Sequence, residues 1–89
     1  MFKAIKDYVE SQFDVVAEAE ITANVMYIKV NGLDNNSLAR WIINEFDNCK
    51  VYVKQREGYK IHNLGWVKVE SSNQIKSELV LTNDEYILN

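Results

Sequence analysis

Proline is absent from this chain of 89 residues, and glycine occurs only at 32, 58 and 65. Without proline, nothing in the sequence forces a helix or strand to break, so long uninterrupted elements are expected. The three glycines form neither a phosphate loop nor a dinucleotide fingerprint, which removes those modes of nucleotide binding. One cysteine, Cys49, rules out an intrachain disulfide, and small secreted domains usually depend on several. One histidine, His62, rules out a zinc site built from several imidazoles. No apolar run approaches the ~18 residues of a membrane-spanning helix. The opening Met-Phe-Lys-Ala-Ile-Lys-Asp lacks the apolar core of a signal peptide, so a reducing cytoplasm is the expected setting.

What is present is the composition of a folded globule. Hydrophobic residues make up 47% and charged residues 26%, unlike the low hydrophobicity and high charge of disordered chains. Five Tyr, three Phe and two Trp supply large side chains for a small core. One domain, residues 1–89, is expected at this length. The net charge is −3, and the bulk charge therefore points away from nucleic acid. The acidic excess lies in residues 1–50, with eight acids against five bases; residues 51–89 carry five of each.

Periodicity sets out the elements. Phe2, Ile5, Val9 and Phe13 recur at helical spacing, which predicts a helix over 2–13. Residues 15–22 switch to period two, with Ala17, Ala19 and Ile21 alternating with Glu18, Glu20 and Thr22. Residues 25–31 repeat the pattern, setting Met26, Ile28 and Val30 against Tyr27, Lys29 and Asn31. Ala23-Asn24 makes a tight turn between them, Asn being tolerant of positive φ. Asp34 or Asn35 then caps a second helix, whose apolar stripe runs through Leu38, Trp41, Ile42 and Phe46 to Cys49.

Three strands are expected next, over 51–55, 59–69 and 76–82, with 86–88 as a short closing element. If Arg56-Glu57-Gly58 forms a three-residue loop, Val53 lies opposite Ile61 and Tyr52 opposite His62. The implied architecture is α+β. It is one antiparallel sheet of about five strands with two helices on one face, in the order αββαβββ.

Catalytic sets are poorly supplied. Cys49 and His62 could form a nucleophile pair or, with a carboxylate, a metal site, but Cys49 falls on an apolar stripe where cysteine commonly acts as a buried hydrophobe. Glu18 and Glu20 lie on one strand face, roughly 7 Å apart by strand rise, a spacing also found in glycosidase pairs. Any solvated strand shows the same alternation. No catalytic, cofactor-binding or metal-ligating residue is assigned, and no cofactor is expected.

Two surfaces carry the functional expectation. The ribbon from Lys50 to Val69 interleaves bases with rings. Tyr52, Lys54, Arg56, Tyr59, Lys60, His62, Leu64 and Trp66 are its candidate contact residues, and most share a side with Lys68, opposite Val51, Val53, Ile61, Val67 and Val69. Tyr, Trp and Arg dominate binding energy at protein interfaces. The same mixture of rings and bases also serves single-stranded nucleic acid. The second surface is acidic, with Glu18 and Glu20 beside Asp7, Glu10 and Asp14 of the preceding helix. Such a row can occupy a basic groove.

The expectation is a non-enzymatic protein-binding module. It would be an inhibitor or regulator of a larger intracellular complex, in the manner of small phage or mobile-element proteins. The alternatives are a nucleic-acid-binding accessory protein using the basic-aromatic face, and a homodimer joined through a free sheet edge.

Overall fold

The first twelve-residue helix forms where the apolar spacing places it. In the computed structural model, which describes residues 1–55 and 65–84, α1 spans Phe2–Phe13. Ile5 and Val9 are fully buried, with Phe2, Tyr8 and Phe13 packed partly against the same core. No side chain caps the start; the carbonyl of Met1 accepts from the amide of Ile5 at 3.1 Å. Asp14 ends the helix in the left-handed region (φ 50°, ψ 48°), its amide donating to the carbonyl of Glu10.

β1 (Glu18–Ile21) and β2 (Val25–Lys29) form the expected hairpin, with Ala19 opposite Ile28 and Ile21 opposite Met26. The turn is closed by the Thr22 amide donating to the Val25 carbonyl at 2.8 Å. Asn24 does not use positive φ there; among the described non-glycine residues only Asp14 and Asn48 do. Gly32, at φ 84°, turns the chain out of β2. A Cβ at Gly32 would meet nothing within 4 Å, so backbone conformation rather than space selects glycine.

α2 spans Asn35–Glu45, with Asp34 as its N-cap accepting from the Asn36 amide at 3.4 Å. Leu38, Ala39 and Ile42 are buried. The expected stripe runs on to Cys49, but Phe46 turns extended (φ −123°) and Asn48 goes left-handed (φ 62°). Cys49 therefore begins β3 (Cys49–Lys54), where it is fully buried. Aromatic rings zip the two helices together. The Tyr8 and Phe46 centroids are 5.5 Å apart and those of Phe13 and Trp41 5.0 Å apart, both edge-on.

β4 spans Val67–Ser71 and β5 Glu78–Thr82. The sheet runs β1-β2-β4-β3-β5, so it is mixed rather than antiparallel: β3 pairs antiparallel with β4 but parallel with β5. The meander fails because the segment 72–77 steps across the start of β3 instead of folding back beside β4. Next-but-one strands lie only about 10 Å apart, which six residues span easily. Asn48 anchors the crossing. Its carbonyl accepts from the Ser72 amide at 2.7 Å, its own amide donates to the Ile75 carbonyl at 3.0 Å, and its Nδ2 donates to the Gln74 carbonyl at 2.8 Å. Ser77 Oγ accepts from the Cys49 amide at 3.1 Å and donates to the Phe46 carbonyl.

The expected register is also displaced. Tyr52 faces Lys68, six residues beyond His62, and Val51 faces Val69. The displacement is even, so the two faces are unchanged. The Ile61 and His62 partners, and the expected element at 86–88, lie outside the described residues. Met26, Ile28, Val51, Val53, Val67 and Val69 turn inward to one core with Ile5 and Val9 of α1 and Leu38 and Ile42 of α2. Both helices therefore cover the same face of the sheet.

Candidate binding face

The opposite face is made by the other half of each alternation, and no described helix lies on it. One continuous row of neighbours crosses all five strands: Glu20, Tyr27, Lys68, Tyr52 and Val80. Beside it runs Val25, Glu70, Lys50 and Glu78. On the other flank stand Lys29, paired across with Glu18, and Lys54, paired across with Thr82. Trp66 is half-buried and just precedes β4; alternation with buried Val67 sets it on the side of Lys68. Tyr27, Tyr52 and Trp66 are all absent from the hydrophobic core and from the side chains packed against it.

A small network fixes the centre. The Tyr52 hydroxyl donates to Glu70 Oε2 at 3.0 Å, and Lys68 Nζ lies 2.9 Å from Glu70 Oε1. The same ammonium sits 5.0 Å from the centre of the Tyr52 ring, within cation–π range. Lys68, followed by the Tyr52 hydroxyl, holds the Glu70 carboxyl below its ordinary range, although partial burial opposes this. Tyr52 and Lys68 thus present fixed geometry.

Among the described residues, charge on this face is balanced. Its strand residues include Lys29, Lys50, Lys54 and Lys68 against Glu18, Glu20, Glu70 and Glu78. The bases are distributed among acids, with Lys29 opposite Glu18 and Lys50 between Glu70 and Glu78. Within the ribbon, Lys50 looks unpaired in sequence because its acidic neighbours, Glu70 of β4 and Glu78 of β5, lie far away along the chain.

Of the expected contact residues, the structure brings Tyr52, Lys54 and Trp66 onto this face, and Glu18 and Glu20 onto its β1 edge. Arg56, Tyr59, Lys60, His62 and Leu64 lie outside the described residues. Asp7, Glu10 and Asp14 do not join Glu18 and Glu20, because α1 covers the other side of the sheet. Glu10 acts locally instead. Its Oε2 accepts from the Ala17 amide at 3.0 Å and its Oε1 lies 3.2 Å from Lys6 Nζ. Those two partners, the amide first, lower its pKa. Sequence reasoning misses Tyr27, Lys50 and Val80 as face residues; the signal available for Tyr27 is its alternation with Met26 and Ile28.

Cys49 is a free, buried thiol, and its expected partner His62 lies outside the described residues. Its Sγ lies 3.4 Å from the Asp47 carbonyl and 3.5 Å from Met1 Sδ, and burial pushes the thiol pKa up. Among the described residues, no three His, Cys, Asp or Glu side chains group as metal ligands. No described helix is long and apolar enough to cross a membrane.

Fold and face together define a small α+β protein in which both described helices cover one side of the sheet and no described helix covers the other. No family model matches the chain, and comparison with curated proteins and with solved structures finds no similar protein.

Proposed function

We propose that this chain is a non-enzymatic protein-binding module that uses the helix-free sheet face, with Tyr27, Tyr52 and Trp66 as anchors and Lys and Glu side chains as its rim. Aromatic residues inside a polar rim are the anatomy of a protein interface. The network of Tyr52, Lys68 and Glu70 reduces the ordering cost of association, because its side chains are already held. In this reading the module works by occupancy, as an inhibitor or regulator of a larger complex.

The observation that supports the reading is the charge balance of the face among its described residues. Single-strand binders track phosphates with an unbroken basic path. Here Glu18, Glu70 and Glu78 stand directly opposite lysines, which suits a partner of mixed charge better than a polyanion.

The test is capture of a stoichiometric partner by the wild-type chain, repeated with Trp66→Ala and Val80→Lys. Both variants should lose the partner while keeping the wild-type circular dichroism spectrum. Arg40→Ala, on the helix layer, should retain it. Retention by both face variants would contradict the proposal. An oligonucleotide bound tightly at low salt and released steeply as salt rises would favour the nucleic-acid alternative instead.

A further inference from the structure

The two edges of the sheet differ in a way that bears on self-association. β1 is four residues long and projects Glu18 and Glu20, both exposed. Short length and outward charge are standard protection against strand addition. β5, five residues long, has less of that protection, Glu78 being its one charged residue. Its sequence is Glu-Leu-Val-Leu-Thr, with three apolar residues at the centre and no lysine or proline. It is the last strand of the sheet, and among the described residues no strand pairs with its outer side. Leu81 is 53% exposed. Leu79 and Leu81 line an open groove of about 510 Å³ against Asn36 and Arg40 of α2.

We propose that β5 is the contact strand of a symmetric homodimer, pairing antiparallel with β5 of a second copy about a two-fold axis through Val80. The occupant is a second copy because the segment is complementary to itself in that register. Val80 meets Val80, and Leu79 meets Leu81 of the second copy. Glu78 meets Thr82, avoiding a like-charge contact. Two residues beyond each strand end, Lys76 comes to face Asp84 of the second copy. Both are exposed, and neither has an ion-pair partner among the described residues of its own chain. Residues directly opposite across an antiparallel pair approach to about 5 Å, so the apolar matches are contacts, and the charged match adds attraction between exposed side chains at the two ends of the pair. Opposed residues share a face. Leu79 and Leu81 of each copy therefore enter the groove beside α2 of the other, while the helix-free faces join side by side into one ten-stranded sheet. The dimer thus leaves the proposed binding face open and doubles it.

Light scattering after size-exclusion chromatography should show a mass rising with concentration toward twice the 10.4 kDa of one chain. Lys76→Glu and Asp84→Lys, each alone, should weaken the dimer about tenfold, since each places two like-charge pairs across the axis. Mixing the two variants should restore association as a mixed dimer, because Glu then faces Lys at one end and Lys faces Asp at the other. Leu81→Lys should leave a folded monomer. Both charged positions lie outside the strand and are exposed, so their variants stay informative if Leu81→Lys does not fold. A chain monomeric up to about 1 mM overturns the proposal. So does a dimer indifferent to both charge variants, or a mixture that fails to recover. An edge that associates only with a foreign protein also contradicts it.

Discussion

Glu10 and Cys49 both have duties that neighbouring letters in the sequence do not reveal. Glu10 reads as a wet-side helix residue, yet its carboxylate holds the Ala17 amide where the chain enters β1. Periodicity identifies which face a residue occupies but not a partner seven positions away. Helical spacing puts Cys49 in the wrong element but in the right environment, since hydrophobicity alone dictates burial. Its raised thiol pKa and full burial predict slow reaction with an aromatic disulfide reagent in the native protein, at least about a hundredfold slower than in denaturant. Comparable rates would mean that the core opens readily. The carboxyls of Glu10 and Glu70 are both lowered in the folded state from the ordinary 4.5. Their contribution to stability is therefore complete above that value and is lost as pH falls through the depressed folded values. Urea midpoints should fall as pH drops from about 5 to about 3, and Glu10→Gln should flatten that dependence.

At the scale of elements, α1 follows the apolar spacing at both ends, and its stop at Asp14 is a left-handed residue without the freedom of glycine. Asp14→Gly should stabilise the fold by about 0.5 kcal/mol, read from the urea midpoint at unchanged slope. The end of α2 was less legible because Phe46 and Cys49 continue a helical spacing by coincidence; Asp47-Asn48, a pair of turn formers, gives the break. Leu38 is fully buried between α2 and the sheet. Leu38→Ala should cost about 3 kcal/mol, a large part of the stability of so small a domain. The alternation of β3 and β4 was readable down to which side chains face inward. Their register was not, because it depends on how much chain lies between the strands, and parity is indifferent to an even slip.

For the whole molecule, two helices on one face of a five-stranded sheet followed from element order and the need to bury one side of each strand. The place of β5 did not follow. A six-residue connection permits either a return beside β4 or a step across β3, and the choice rests on hydrogen bonds from Asn48 and Ser77 that only the folded chain assembles. That choice brings Glu78 beside Lys50, so that among the described residues the ribbon's lysines stand with carboxylates on an aromatic-centred face. The chain's two tryptophans report on its two layers separately: Trp66 on the helix-free side, and Trp41, 39% exposed, against Phe13 on the helix layer. Fluorine NMR of the chain labelled with fluorotryptophan, titrated with its captured partner, reads both at once. The Trp66 resonance should shift or broaden while that of Trp41 holds its position; movement of Trp41 with Trp66 unchanged would contradict the account.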